Sequence, residues 1–393
     1  MIPLYAGHSQ DEKSSRPPNG HAGLWFERFF NQYSADWTVE DTGKREFLDS
    51  LVGYHAGQAR SAEGSGRVGN SAALDRHAEQ LAELAEGLDG SCFAMQSSWH
   101  FATGLGNPHP VENGLSWHPV LGMPYLPGSA VKGLARAWLE LNGYDAELRK
   151  RLFGSDHKDP QQAGSFQQEP ELIAGEVIFF DALPLEPVSL GVDVMTPHMG
   201  KWYERGHSRP GKAETTPADW HAPVPVPFLV ARQAVLQFAV APRRPESAPL
   251  VELASQALRA ALENLGAGAK TAAGYGAFVE LDEKRQKQQE QRRKARAAKA
   301  EERAEQAALA ELSEYQRTLE ALKKEAELPA NHEAGSGADF HRRIGELLQE
   351  AEAWPDEDAR ELATFARAFF KQYGSKKRQK EMGSQIRKLL GEG

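Results

Sequence analysis

The sequence predicts an α+β protein in which helical regions flank a central segment of strands and helices. Between residues 23 and 90, apolar residues recur every three to four positions, a spacing typical of amphipathic helices. Between 91 and 282 the spacing changes at several places to a two-residue alternation, which predicts strands. After 282 the chain is rich in Ala, Glu, Gln, Lys and Arg, and it again predicts helices.

The N-terminal region divides into an arm and a helical part. Residues 1–22 are polar and contain Pro17-Pro18, so we expect a flexible arm. Residues 23–90 are expected to be a helical N-terminal region, because the apolar pattern runs from Leu24 to Leu88. A Gly/Ser-rich stretch at 57–71 is expected to form a loop between these helices.

The central region, 91–282, is expected to hold four strands and two helices. In chain order they are a strand at 92–101, a helix from Ser129, its expected N-cap, to Asn142, strands at 177–183 and 227–240, a helix at 250–265 and a strand at 277–281. The order β-α-β-β-α-β is typical of an elaborated ferredoxin-like or RRM-like fold, with a four-stranded antiparallel sheet backed by two helices. The connection before residue 227 is too long for a plain loop, and we expect it to leave the sheet and contact a partner.

The C-terminal region predicts an α-helical extension in three parts. Residues 283–328 have almost no Gly or Pro and predict one long charged helix. Residues 329–339 predict a flexible linker, and 340–393 predict a small helical module with a core that includes Leu348, Leu362 and Phe369.

The net charge of −9 argues against a nucleic-acid binder when the chain is taken as a whole. The charge is uneven, however, because residues 1–282 carry 23 basic and 34 acidic side chains while 283–393 carry 23 and 21. The run from Lys284 to Lys299 holds eight basic residues and one acid, Glu290. Local groups of cations therefore indicate a nucleic-acid site better than the total charge does.

Cysteine and histidine usage exclude several classes of site. Cys92 is the only cysteine, so an internal disulfide or a cysteine-based zinc site is excluded, and a reducing cytoplasm is favoured. The histidine spacings match no metal-binding pattern, and no apolar run is long enough for a membrane span. We expect a cytoplasmic protein with no metal, cofactor or membrane partner.

The first candidate site is the helix start within Gly122–Arg136. A helix N-terminus presents unpaired N–H groups that suit a phosphate. Ser129 lies at that start, and Lys132 and Arg136 lie one turn apart on one helix face. The alternative is an ordinary helix start with two solvated cations.

The second candidate site is the glycine-rich loop Gly266–Gly276, whose backbone can approach a ligand closely. The residues that we expect to contact the ligand are Gly266, Gly268, Lys270, Thr271 and Tyr275. A nucleotide triphosphatase P-loop is disfavoured, because Ala269 precedes the lysine and a helix leads into the loop. The alternative is a plain connection between helix and strand. Asp181 and Asp193 are further candidates, although they also fit turn caps.

Several ordered motifs of the central region carry a family resemblance. They are Gly104–Gly106, Glu112–Gly114, Gly122–Arg136, Asp193–Tyr203, Pro223–Phe228 and Gly266–Gly276. Together they resemble the sixth-subunit family of the Cmr complex, the type III-B CRISPR effector, within the RAMP (repeat-associated mysterious protein) superfamily. The resemblance covers about residues 91–282.

The resemblance implies an elaborated RRM-like fold and a non-catalytic, RNA-binding subunit at the crRNA 3′ end of a protein filament. The implied partners are crRNA, target RNA and other Cmr subunits, namely the backbone RAMP subunit, the small subunit and the 3′-end RAMP subunit. The implied RNA-facing residues are those of the two candidate sites together with His198. No residue is expected to be catalytic, because the resemblance assigns cleavage to other subunits.

Two alternatives remain open from the sequence. One is a stand-alone, metal-independent crRNA-processing endoribonuclease of the RAMP type, motivated by His198 near a loop. The other concerns the run Lys284–Lys299, which either lies along nucleic acid or an acidic neighbour, or is a solvated helix with a small appended bundle.

Overall fold

A computed structural model describes residues 20–55, 58–59, 66–155, 173–206, 208, 211–212, 216–218, 220–332 and 338–392. The chain divides into two compact units, Met1–Gln286 and Lys287–Gly393. The expected flexible arm lies outside the described residues except for its last three, and residues 57 and 60–65 of the expected Gly/Ser-rich loop also lie outside them.

Three helices form most of the described N-terminal region. They are α1 Ala22–Arg28, α2 Asp41–Val52 and α3 Ser71–Gly87. The Nδ1 atom of His21 caps α1 by accepting the Leu24 N–H at 2.9 Å, so the helix begins inside the expected arm. Three two-residue strands, which the periodicity did not predict, accompany these helices: β1 Tyr54–His55, β2 Gln58–Ala59 and β3 Arg67–Val68.

The central region contains eight further strands and four helices among the described residues. In chain order they are β4 Ser91–Ser97, β5 His100–Phe101, α4 Gly128–Leu141, α5 Ala146–Phe153, β6 Val177–Phe179, β7 Leu183–Pro184, β8 Val188–Met195, α6 Gly200–Arg205, β9 Val226–Arg232, β10 Val235–Pro242, α7 Pro249–Asn264 and β11 Phe278–Val279.

The first sheet confirms the ferredoxin-like prediction. Its antiparallel strand order is β11-β4-β10-β6, with β7 also paired to β10. Since α4 follows β4 and α7 follows β10, the chain order of these elements is the predicted β-α-β-β-α-β. The helices bury Val131 and Leu258, and the sheet buries Met95 and Phe238, in one apolar core.

A second antiparallel sheet, with the order β3-β8-β9-β5, was not predicted. The single strands expected at 92–101 and 227–240 are wrong, because each region passes from one sheet to the other. The ladder is in register where the Ser97 N–H donates to the Ala234 carbonyl, but two residues, Ser98 and Trp99, then oppose Gln233 alone. An extra residue of this kind bends a strand, and here it separates the two sheets.

The C-terminal region is helical, but the expected single helix over 283–328 is wrong. The structure has α8 Glu283–Glu311 and α9 Glu314–Ala326. The break arises because the Ser313 hydroxyl accepts the Gln316 N–H while the Gln316 side chain accepts the Ser313 N–H, a capping box. No helix of the described residues is both long and apolar enough to cross a membrane.

The second unit has its own core. Besides α9, it contains α10 Ala338–Glu350, α11 Asp356–Tyr373 and α12 Lys376–Leu390. Leu319 and Leu322 of α9 are buried with Leu348, Leu362 and Phe369, so α9 packs with the small helical module. The linker expected at 329–339 is partly ordered in the structure, because Pro329–Asn331 form a 3-10 turn and α10 begins at Ala338. Residues 333–337 lie outside the described part.

Candidate functional site

The two candidate sites predicted from the sequence meet at one cleft of about 600 Å³. The start of α4 lines one wall with Pro127, Ala130 and Leu134. The glycine-rich loop lines another wall, and its contributing residues include the predicted Gly266, Gly268 and Thr271. The third wall is the stretch 103–106, which directly follows β5.

The cations of α4 do not face this cleft. At about 100° per residue, Lys132 projects roughly 160° away from the cleft-lining Ala130 and Leu134, and Arg136 projects roughly 120° and 160° away from them. Burial lowers the pKa of the Lys132 ammonium, and repulsion from Arg136 and Arg243 lowers it further. Lys132, Arg136 and Arg243 therefore form a separate cationic group on the other flank of the helix.

The N-terminus of α4 is capped by a carboxylate from another part of the chain. The Gly128 N–H donates to Oδ1 of Asp181 at 2.6 Å, so Asp181 serves as a helix cap. Ser129 was expected to be the N-cap, and this is wrong: the N-cap is Pro127, and the Ser129 side chain is exposed. Because Asp181 already supplies a negative charge at this terminus, a phosphate placed there would meet electrostatic repulsion.

The glycine-rich loop is docked on the backbone of β5 and the residue after it. The Ala269 N–H donates to the Ala102 carbonyl at 2.7 Å, and the Gly276 N–H donates to the His100 carbonyl at 2.8 Å. Gly268 has a φ of +89°, and a Cβ there would collide with the Ala102 carbonyl oxygen. Only glycine tolerates both the positive φ and the close approach to Ala102, and this is the physical reason for a glycine at this position of the loop.

Tyr275, at the end of the loop, is bound to the second sheet. Its hydroxyl donates to Oδ2 of Asp193 at 2.6 Å, and Nδ1 of His100 lies 3.2 Å from the same oxygen. Burial and the bond to Asp193 raise the pKa of Tyr275 to about 12. Burial opposes ionisation of Asp193, but the bonds from Tyr275, the Val194 N–H and His100 outweigh it, and the pKa of Asp193 lies below its usual value.

The site includes Trp99, which lies within the single strand expected at 92–101. The indole is 47% exposed, stacks on the His100 ring with the centroids 4.5 Å apart, and lies 4.9 Å from the Tyr275 ring. Apart from Ser97, alternate residues from Phe93 to Phe101 are apolar, and Trp99 continues this pattern. Nothing in the pattern therefore indicates the bulge beside which this side chain is exposed.

Two cations accompany this aromatic cluster. Nζ of Lys270 lies 5.7 Å from the centre of the Phe228 ring, and Phe228 in turn contacts Tyr275. Arg232 is opposite His100 in the β5–β9 ladder, and directly opposed residues share one face of the sheet. Sequence reasoning missed Arg232, because its place beside His100 depends on the pairing of distant strands.

No described contact joins His198 to Lys270 or to Arg232. It lies on the connection between β8 and α6, its side chain is exposed, and it makes no hydrogen bond with a described residue. The described residues also contain no group of three or more His, Cys, Asp or Glu side chains arranged to hold a metal ion. The arrangement as a whole, a docked glycine loop with an exposed indole and two cations, suits binding to phosphates and bases rather than proton transfer.

Comparison with known proteins finds similarity in the central region. Residues 93–279 match the model of the RAMP superfamily. The chain is 32% identical over 225 residues to the CRISPR system Cmr subunit Cmr6 of Pyrococcus furiosus, covering 45% of this chain and 64% of that protein. It is 30% identical over 106 residues to the Cmr6 subunit of Saccharolobus solfataricus, covering 26% of this chain and 31% of that protein. The chain thus spans less than two thirds of the length of these relatives.

Two solved structures are also similar. One is the type III-B Cmr-beta complex bound to cognate target RNA, with 19% identity and a TM-score of 0.40 over 61% of this chain and 71% of that one. The other is Cmr6 from Pyrococcus furiosus, with 25% identity and a TM-score of 0.29 over 49% of this chain and 98% of that one. By sequence, residues 93–279 thus match the RAMP superfamily, and the chain is similar to Cmr6 of Pyrococcus furiosus and Saccharolobus solfataricus.

Proposed function

We propose that this chain is a non-catalytic RNA-binding subunit of a type III-B CRISPR Cmr effector, placed at the crRNA 3′ end and contacting crRNA and the crRNA–target duplex. The observation that carries the proposal is the 32% identity to a Cmr6 subunit over 225 residues, together with the RAMP superfamily match of residues 93–279, which include the glycine-rich loop and its aromatic cluster. Its partners would be the backbone RAMP subunit, the small subunit and the 3′-end RAMP subunit. A cytoplasmic location goes with this role.

The chemistry of the site supports this role. In an RNA-guided complex, base pairing between guide and target supplies the sequence specificity, so the protein needs contacts to backbone and shape. Lys270 offers a cation beside the glycine-rich loop, and the loop brings main-chain groups close to a bound strand. A chain of net charge −9 can bind RNA in this way, because the cations are local and neighbouring subunits share the contacts.

The same geometry favours a role without chemistry. A general base works best when its pKa lies near the working pH, whereas the pKa of Tyr275 is raised to about 12. No described residue orients the His198 ring by a hydrogen bond, which a catalytic base would need. These features favour the binding subunit over the stand-alone endoribonuclease.

A reconstitution experiment tests the proposal. The remaining Cmr subunits and crRNA are assembled with tagged wild-type chain or with Lys132→Glu, Lys270→Glu and the double variant, and the retained crRNA is measured. Arg28→Glu is the matched control, since Arg28 is an exposed cation at the end of α1 that lies outside the matched domain. We expect the double variant to lose crRNA and the control to retain it.

Undiminished crRNA retention and assembly by the double variant would contradict the proposal. The endoribonuclease alternative is tested with the purified chain and a CRISPR-repeat RNA. The binding proposal predicts no product, whereas cleavage that disappears in His198→Ala would establish the alternative. Comparing the two single variants separates the flank of Lys132 from the loop of Lys270.

We propose a lesser contribution from the run Lys284–Lys299 at the start of α8. Arg285 of this run is already bound to Glu186 at 2.9 Å and to Asp282 at 2.8 Å. Lys284, Lys287 and Lys299 are exposed, and we expect them to lie along RNA phosphates. Replacing these three by glutamine should flatten the salt dependence of RNA affinity; an unchanged slope would indicate a solvated helix.

A further inference from the structure

The indole of Trp99 is held in a fixed position by the ring of His100. His100 covers one face of the indole, with the two rings only 14° from parallel. His100 is itself held by Asp193, which also accepts the Tyr275 hydroxyl. A large aromatic surface that is 47% exposed and supported from behind loses little conformational entropy when a ligand covers it.

Arg232 supplies a cation opposite His100, the residue that stacks on this indole. Its side chain is exposed, and its guanidinium forms no hydrogen bond or ion pair with a described residue. Its guanidinium lies across Gly191 of β8, where a Cβ would be within 3.0 Å of the Arg232 Cζ. The absence of a side chain at Gly191 therefore makes room for this arginine on the sheet.

The charge of this surface is positive on balance. Asp193 is the acid of the cluster, and its carboxylate already accepts two side-chain hydrogen bonds and one from the Val194 N–H. Arg232 and Lys270, in contrast, have no acidic partner among the described residues. A ligand for this surface must therefore combine a flat ring with a negative charge.

We propose that Trp99 and Arg232 form a binding site for an unpaired nucleotide of RNA, with the base stacked on the open indole face and a phosphate at the guanidinium. The inference rests on the proposed function and deepens it, because it assigns single-stranded rather than duplex RNA to this part of the domain. Bases inside a duplex are already stacked on one another, so they cannot lie on Trp99. An unpaired base can, whatever its identity, since every base has a π-face.

The test uses the purified full-length chain and two fluorescein-labelled RNAs, a 12-nucleotide single strand and the same strand in a blunt duplex. Anisotropy titrations give the Kd for the wild type and for Trp99→Ala, Trp99→Phe and Arg232→Gln. Trp37→Ala is the matched control, because Trp37 is 55% exposed and lies outside the RAMP domain. Lys270→Glu is measured beside them as a test of the proposed function.

For the single strand, Trp99→Ala should raise the Kd roughly 5- to 150-fold, the range expected from losing one base–aromatic stack. Trp99→Phe should recover part of the affinity, and Trp37→Ala should stay within about twofold of the wild type. Arg232→Gln should reduce the slope of log K against log salt by about 0.7, the loss expected for one phosphate of a single strand. The duplex Kd should not respond to Trp99→Ala.

Three results would overturn the inference, and they separate it from the proposed function. If Trp99→Ala and Arg232→Gln bind the single strand like the wild type while Lys270→Glu is weakened, the nucleotide site is wrong and RNA binding stands. If Lys270→Glu is unchanged as well, the proposed function fails too. If Trp99→Ala affects no RNA titration but prevents association with the other Cmr subunits, the surface is a protein interface.

Discussion

The docking of the glycine-rich loop can be tested by two alanine substitutions at nearly the same backbone angle. Gly268 has a φ of +89° and Gly274 a φ of +90°, so an alanine at either position costs about 1–2 kcal/mol for the left-handed backbone alone. At Gly274 a Cβ meets nothing within 4 Å, whereas at Gly268 it collides with the Ala102 carbonyl. The difference between the two variants isolates the contact of the loop with β5.

The extra cost at Gly268 follows from what the loop must give up. To relieve the collision, the loop moves away and loses the 2.7 Å bond from the Ala269 N–H to the carbonyl of the fully buried Ala102. Leaving a buried acceptor without a partner costs about 1–3 kcal/mol. We therefore expect a loss of about 2–5 kcal/mol for Gly268→Ala and of about 1–2 kcal/mol for Gly274→Ala.

The assay is urea unfolding followed by tryptophan fluorescence. Seven of the eight tryptophans precede residue 287, so the signal reports mainly on the first unit. Equal losses of unfolding free energy in Gly268→Ala and Gly274→Ala would refute the reasoning, because the collision with Ala102 would then have no consequence. A larger loss for Gly274→Ala would place the strained part of the loop elsewhere.

Three further predictions concern stability. Asp181→Ala should lower the unfolding free energy by about 1 kcal/mol, because the α4 cap is lost, whereas Asp181→Asn keeps an acceptor oxygen at this position. Equal thermal unfolding of the alanine and asparagine variants would contradict this. Tyr275→Phe should cost about 1.5–3 kcal/mol in urea, because a bond to the ionised Asp193 is lost; no change would show that this bond is not formed in solution. Burial lowers the pKa of His109 in the folded chain below its usual value of 6.5. As the pH falls below 6.5, His109 is therefore protonated first in the unfolded chain. The stability that is present above pH 6.5 is lost as the pH falls through the folded pKa. Thermal unfolding between pH 7.5 and 5.5 should be less pH-dependent in His109→Gln than in the wild type, and equal dependence would exclude His109 as a source.

The sequence predicted those elements whose signal is local. The amphipathic stripes of α4 and α7 and the order of strands around them sufficed for the ferredoxin-like topology. The second sheet escaped prediction, because the two residues that oppose Gln233 do not interrupt the apolar alternation. A bulge is visible only in the register between strands, and that register depends on residues far apart in the chain.

The same distinction applies to the candidate site. The glycines of the 266–276 loop marked a backbone that packs closely, and the structure shows the close contact at Gly268. The cap of α4 was misassigned to Ser129, because the true partner, Asp181, lies 53 residues away from Gly128. Arg232 lies opposite His100, the residue after Trp99, only through the pairing of β5 with β9. Composition identified the loop, and long-range pairing determined what surrounds it.

The central claim, that the domain binds guide RNA through the loop and its aromatic cluster, is tested most directly by ultraviolet crosslinking. The assembled Cmr complex with crRNA is irradiated, and the crosslinked peptides of this chain are identified by mass spectrometry. The proposal predicts crosslinks at Trp99 and within the glycine-rich loop around Lys270 and Tyr275. Crosslinks confined to other parts of the chain, with none at the loop or at Trp99, would contradict it.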